Sequence, residues 1–231
     1  MLVFDLSVVF DFYKLGRGYF PFSWDDNHQS RIGLLSRNGD SNNVQWFDID
    51  RTYFFHTFNA HEDANGNVIV TAAAYGRLFD KDWNGPFSES PPQLTKWELN
   101  TKSGQAISSK LDDRSVEFPR INPSLVGKSN QYAYALASSN LIEPDFKEIV
   151  KYDFKNDTSE VYEYGSGKFG AEPVFVSAEG AKSEDEGYLL SLVYNQETDK
   201  SDLIILNAKE PKSGPLATVH LPQRVPHGFH G

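Results

Sequence analysis

LTKWEL, residues Leu94–Leu99, runs directly into the polar turn NTKSG, residues Asn100–Gly104. Comparable apolar runs bounded by turn residues lie at Val68–Tyr75 and Ile149–Phe154. Runs rich in β-branched and aromatic residues that alternate with polar turns are typical of strands and their connections. No stretch carries the sustained apolar period of an amphipathic helix. The chain is therefore predicted to be all-β, with helices in a minor role.

The strand-then-turn unit recurs along the chain. Similar units begin at Trp46, Trp97, Tyr152 and Leu206, at intervals of 51, 55 and 54 residues. A period near 50 residues in a strand-rich chain is typical of β-propeller blades, although a meander of hairpins can show such spacing by chance. At this period the 231 residues would hold about four blades, at the small end of the range for propellers.

Composition narrows the classes of function. With 39% hydrophobic and 23% charged residues, the chain has the make-up of a folded globular protein. A net charge of −10 disfavours binding along the phosphate backbone of a nucleic acid. The absence of cysteine excludes thiolate ligands, so a transition metal would be held by nitrogen and oxygen atoms. No apolar run is long enough for a transmembrane segment and no secretory signal is visible, so a cytoplasmic location is expected.

Two of the six histidines lie in sequences that suit a metal ligand. His56 stands among aromatic residues in FHTFNAHED, where it is either a ligand or a buried core histidine satisfied by the backbone and Asn59. His230 ends VPHGFHG, where the flanking glycines allow the close backbone approach of a ligand site; a surface turn is the alternative. His227 is not predicted to be a ligand, because no helix places it on one face with His230.

Two glutamates lie beside phenylalanine and proline near the ends of predicted strands. Glu117 occurs in VEFPRIN and Glu172 in AEPVFVS. A half-buried carboxylate in this setting can accept a hydrogen bond from the outer nitrogen of a metal-bound imidazole, which fixes the orientation of that ring. The alternative for each is a solvated carboxylate on an edge strand, the commoner situation for glutamate.

Taken together and in this order, the four segments FHTFNAHED, VEFPRIN, AEPVFVS and VPHGFHG resemble the carotenoid cleavage oxygenases. That family includes the apocarotenoid and lignostilbene dioxygenases and the retinal pigment epithelium isomerase. The resemblance runs from about residue 5 to residue 231 and implies a seven-bladed β-propeller. Residues 1–231 would then be the C-terminal part of a single propeller domain, about its last four blades, with no second domain.

The resemblance also implies Fe(II) on the propeller axis, bound by four histidines, some of which are oriented by glutamates that accept hydrogen bonds from their outer ring nitrogens. His56 and His230 match two of these ligands, and Glu117 and Glu172 match two of the glutamates. The family's other two histidine ligands lie N-terminal to the matched region. The isolated chain is therefore expected to lack two of four ligands and to be inactive.

The activity implied by the resemblance is cleavage of a C=C double bond of a carotenoid, apocarotenoid or stilbenoid by O2, which gives two carbonyl products. Phe55, Phe58 and Phe229 are candidates to line the apolar tunnel. The resemblance leaves room for peripheral membrane contact through the part of the parent that this chain lacks. Three alternatives stay open: an isomerase on the same iron site, a non-catalytic β-propeller binding scaffold, and a complete four-bladed metalloprotein that uses His61 or His227 as a further ligand.

Overall fold

A computed structural model describes residues 1–39, 41–84, 89–138, 145–226, 228 and 230. These residues form two compact units, the first ending at Asp113 and the second beginning at Arg114. Each unit is built from antiparallel sheets.

The first unit contains nine strands and one short α-helix among its described residues. They are β1 (Leu2–Asp5), β2 (Val8–Phe10), α1 (Phe12–Leu15), β3 (Phe22–Trp24), β4 (Arg31–Leu34), a 3-10 turn (Ser41–Asn43), β5 (Gln45–Asp48), β6 (Tyr53–Glu62), β7 (Val68–Tyr75), β8 (Gln93–Asn100) and β9 (Gln105–Lys110). Strands β1, β4 and β5 form one sheet, β2 pairs with β3, and β6 to β9 form a four-stranded meander in chain order.

Among its described residues the second unit contains two sheets. Its elements are β10 (Ser115–Arg120), a 3-10 turn (Pro123–Leu125), β11 (Tyr132–Ser138), β12 (Glu148–Asp153), β13 (Thr158–Glu163), β14 (Lys168–Gly170), β15 (Val174–Ser177), β16 (Gly187–Asn195), β17 (Lys200–Asn207), a 3-10 turn (Pro211–Ser213) and β18 (Pro215–His220). Strands β10 to β13 form a meander in chain order. In the other sheet β14 and β15 both pair with β16, which is followed by β17 and β18.

The all-β prediction is confirmed, and the repeat has a structural basis. The units that begin at Trp46, Trp97, Tyr152 and Leu206 lie on β5, β8, β12 and β17. Each of these is the third strand in the order of its own sheet, with β14 and β15 counted as one edge. Successive antiparallel sheets of about four strands are the blades of a β-propeller. The period near 50 residues is therefore the length of one blade.

Alternating side chains of the quoted stretch face the core. On β8, Trp97 and Leu99 are buried, whereas Glu98 between them is half-buried. They pack with Phe47 and Val70 in the core of the first unit. In the part of the chain that the structure describes, no helix is both long and apolar enough to cross a membrane.

Candidate functional site

His56 lies in an irregular part of the edge strand β6. The pairing of β6 with β7 shifts twice, between Phe54 and Thr57 and again between Thr57 and Asn59. Each shift adds one residue to β6 relative to its partner, which is the definition of a β-bulge. His56 is half-buried beside Phe55, with ring centroids 6.4 Å apart. Bulges redirect side chains and are common beside active sites.

Glu117 also lies on an edge strand, β10, in the second unit. The pairing of β10 with β11 shifts between Glu117 and Arg120, so this strand also carries an extra residue. Phe118 has a φ of 53°, in the left-handed region that bulky residues seldom occupy, and such strain is concentrated at functional sites. Glu117 is only 2% exposed, and its Oε2 accepts a hydrogen bond from the Phe118 backbone N–H at 2.9 Å.

Glu172 lies in a break of a third edge strand. Strand β14 ends with Gly170 opposite Val193, and β15 resumes with Val174 opposite Leu190, so the broken edge again holds one residue more than β16. Glu172 and Pro173 stand in the break, and both are buried. His56, Glu117 and Glu172 thus share one local feature, an added residue at the edge of a sheet.

The structure brings Glu172, His230, Arg120 and Phe118 together in the second unit. Glu172 Oε1 lies 3.1 Å from His230 Nδ1, and Glu172 Oε2 lies 2.7 Å from Arg120 Nη2. The Phe118 ring meets the His230 ring edge to face, with centroids 5.9 Å apart. Phe118 and Arg120 were given no role from the sequence, although both stand in VEFPRIN. One feature of the sequence could have indicated such a role: Arg120 is a basic residue in a motif that is otherwise interpreted through the carboxylate of Glu117.

The backbone next to Glu172 is anchored by buried hydroxyl groups. Ser191 Oγ donates to the Ala171 carbonyl at 2.6 Å and lies 3.0 Å from the Tyr164 hydroxyl. The Tyr164 ring occupies the space that a Cβ on Gly170 would need. Burial raises the pKa of Tyr164 well above its ordinary value, so the hydroxyl stays neutral. Packing and hydrogen bonds together fix the break that carries Glu172.

The residues predicted from the sequence to form the site are divided between the two units. His56 belongs to the first unit, whereas Glu117, Glu172 and His230 belong to the second. Phe55 is 42% exposed and Phe58 is 5% exposed. His227 and Phe229 lie outside the described residues.

His61, the further ligand of the four-bladed alternative, is half-buried on β6. Burial lowers its pKa, and the charge of Asp63 opposes that shift. A low pKa keeps the imidazole neutral, as a ligand must be, but neutrality alone does not make His61 a ligand.

The donor set fits part of a metal site. A carboxylate on one imidazole nitrogen is the usual companion of a metal on the other nitrogen. Since Glu172 contacts Nδ1 of His230, a metal would be ligated through Nε2. Over the described ranges, no group of three or more His, Cys, Asp or Glu side chains is close enough to hold a metal ion. These residues therefore account for an oriented imidazole but not for a full coordination shell.

Comparisons of this chain with known sequences all indicate the same family. The sequence profile of the retinal pigment epithelial membrane protein (RPE65) family matches residues 1–231. A carotenoid cleavage oxygenase of Mycobacterium tuberculosis is 34% identical over 223 residues, which cover 91% of this chain and 43% of that protein. A carotenoid 9,10(9',10')-cleavage dioxygenase of Crocus sativus is 33% identical over 92% of this chain and 42% of its own length. The chain thus spans less than half the length of these relatives.

Solved structures match in fold over nearly the whole chain. The cobalt-substituted apocarotenoid oxygenase (ACO) of Synechocystis superposes with a TM-score of 0.89 at 24% identity, covering 99% of this chain and 50% of its own. An ACO/RPE65 chimera superposes with a TM-score of 0.87 at 25% identity, with the same coverage. The chain accordingly has the β-propeller fold of these proteins over about half their length.

Proposed function

Because this chain belongs to the retinal pigment epithelial membrane protein (RPE65) family, we propose that it forms part of a non-haem iron(II) dioxygenase. The proposed reaction splits one C=C double bond of a carotenoid, apocarotenoid or stilbenoid with O2, and each product carbonyl receives one oxygen atom. The observation that carries the proposal is the contact between Glu172 and His230, 3.1 Å from Oε1 to Nδ1. The names of the relatives, carotenoid oxygenases and dioxygenases, support the reaction class.

His230 and His56 would hold the metal, together with two histidines outside this chain. Glu172 accepts from Nδ1 of His230, which orients the ring and increases the basicity of Nε2. Phe118 packs against the same ring and limits its rotation. Glu117 is proposed to orient another imidazole in the same way. When bound, iron(II) supplies the redox chemistry that activates O2. Aromatic side chains such as Phe55 would hold the apolar substrate and exclude water.

His230→Ala tests the metal role directly. In the chain joined to the N-terminal part of the Mycobacterium tuberculosis relative, so that the proposed ligands outside this chain are included, we expect this variant to bind Co(II), an oxygen-stable probe for the iron site, at least about tenfold more weakly than the unsubstituted joined protein. The reason is the loss of an oriented imidazole. Glu172→Gln should weaken binding by about tenfold as well, since the amide holds the ring less strongly. Affinity is measured by equilibrium dialysis, and broadening of histidine side-chain NMR signals identifies the ligands.

His220→Ala is the matched control. His220 also pairs with a carboxylate, Asp202 at 2.8 Å, but it is 83% exposed on the edge strand β18. Equal Co(II) affinity in the His230→Ala and unsubstituted joined proteins would contradict the proposed ligand. The scaffold alternative would then be favoured. Incubation under ¹⁸O₂, with the chain joined to the N-terminal part of the Mycobacterium tuberculosis relative, separates a dioxygenase, which labels both carbonyls, from an isomerase, which labels neither.

Membrane contact is also proposed, through an N-terminal aromatic patch. We define this patch as the exposed apolar residues around α1, namely Phe10, Phe12, Tyr13, Leu15, Tyr19 and Phe20. Phe12 is 79% exposed and Phe20 is 54% exposed. The guanidinium of Arg17 lies 3.7 Å from the centre of the Tyr13 ring, so a cation borders the patch. Exposed apolar rings, with tyrosine hydroxyl groups and a basic group beside them, favour the interface of a lipid bilayer. The sequence leaves room for such contact in the part of the parent outside this chain, whereas this patch lies within the chain.

Phe12→Asp combined with Phe20→Asp should weaken co-sedimentation with phosphatidylcholine vesicles by roughly tenfold or more, because two large apolar side chains are replaced by charges. Ile107→Asp is the control, since Ile107 is 65% exposed on β9, away from α1 in sequence. Equal vesicle binding in the double variant, or an equal loss in Ile107→Asp, would contradict a lipid-binding patch.

A further inference from the structure

Arg120 contacts the same carboxylate that contacts His230. It is the last residue of β10, and the bulge separates it from Glu117. Its Nη2 lies 2.7 Å from Glu172 Oε2, while Glu172 Oε1 lies 3.1 Å from His230 Nδ1. The two oxygens of one carboxylate thus each face a different side chain.

Burial makes Glu172 depend on these partners. Its side chain is 5% exposed, whereas those of Arg120 and His230 are 41% and 53% exposed. A carboxylate removed from water is costly unless it is paired or hydrogen-bonded. Arg120 is the cation within ion-pair distance, so it compensates for the buried negative charge.

The contact with Arg120 is electrostatic rather than a fork of hydrogen bonds. Although Nη2 and Oε2 are 2.7 Å apart, Glu172 Oε2 and Arg120 Nε have no hydrogen-bond partner among the described residues. A bidentate arginine–carboxylate pair would satisfy both atoms. What Arg120 contributes is therefore a positive charge at a fixed place, a contribution that a lysine could supply.

We infer that Arg120 is a positioning residue for His230 and acts through Glu172. Its charge keeps Oε2 on the side away from His230, so Oε1 stays available to accept from Nδ1–H. A neutral imidazole that donates through Nδ1 carries its lone pair on Nε2, the nitrogen that ligates a metal. This inference rests on the proposed metal role of His230.

The tautomer of His230, measured by ¹⁵N NMR of the 231-residue chain without metal, tests the inference. The unsubstituted chain should favour the Nδ1–H form. Arg120→Gln should lower the ratio of Nδ1–H to Nε2–H by about threefold or more, the effect of weakening one charge-assisted hydrogen bond. Arg120→Lys should restore most of the ratio. Arg114→Gln, which removes a guanidinium next to Ser159 instead, should leave the ratio unchanged.

An unchanged ratio in Arg120→Gln would overturn the inference, and so would a loss in Arg120→Lys equal to that in Arg120→Gln. Far-ultraviolet circular dichroism shows whether Arg120→Gln is folded. If it is not, the tautomer ratio in Arg120→Lys tests the inference. Co(II) added to the chain joined to the N-terminal part of the Mycobacterium tuberculosis relative separates this outcome from failure of the proposed function. If Co(II) leaves the His230 signals unperturbed, the metal role fails, whereas the tautomer ratio still reports whether Arg120 positions the ring.

Discussion

Gly170→Ala is expected to lower the free energy of unfolding of this chain by about 2–3 kcal/mol, as for an overpacked core position. A Cβ at residue 170 would overlap Cζ, Cε2 and Oη of Tyr164. Tyr164 is 5% exposed, and its hydroxyl lies 3.0 Å from Ser191 Oγ, so the ring cannot move without losing packing and a hydrogen bond. Urea unfolding followed by circular dichroism measures the loss.

The same substitution should also disturb the candidate site, because Ser191 Oγ donates a hydrogen bond to the Ala171 carbonyl beside Glu172. We expect the NMR signals of the His230 ring to shift in Gly170→Ala. Gly76→Ala is the control: the nearest atom to its added Cβ is Ser90 Oγ at 3.9 Å, an ordinary contact. Equal stability of the two variants would show that Tyr164 can move aside, and the proposed anchoring of Glu172 would be wrong.

The sequence predicts the regular part of this fold well because strands have local signals. The apolar run Val68–Tyr75 is β7 to the residue, and LTKWEL falls within β8. Trp97 and Tyr152 recur at one blade length because each occupies the third strand of its sheet. Local composition and turn residues are sufficient for these features.

The candidate site is less predictable because it depends on strand pairing. A bulge is one residue more than the partner strand has, so neither the bulges around His56 nor that after Glu117 can be read from one strand alone. The contact of Glu172 with His230 joins residues 58 apart in sequence, and neither motif indicates which glutamate contacts which histidine. Arg120 was missed because its role follows from the burial of Glu172, which the sequence does not state.

Lys151→Met is expected to destabilise the chain by about 3–5 kcal/mol, the usual cost of removing one partner from a buried ion pair. Lys151 Nζ lies 2.8 Å from Asp185 Oδ2 and donates to the Lys209 carbonyl, also at 2.8 Å. The side chains of Lys151 and Asp185 are only 8% and 11% exposed, so water cannot solvate the Asp185 carboxylate once the lysine is lost. Urea unfolding gives the difference in free energy.

Two further variants separate the cost of an orphaned charge from a loss of packing. Lys151→Met combined with Asp185→Leu removes both charges of this pair, so the double variant should recover most of the stability. Lys147→Met removes a cation whose side chain is 40% exposed, opposite Asp145 at 2.6 Å, and should cost less than about 1 kcal/mol. If the double variant were as unstable as Lys151→Met, the loss would come from the contacts of Lys151 with Lys209 and the Tyr132 ring rather than from Asp185. The buried pair would then be a consequence of the packing of this unit and not one of its main stabilising interactions.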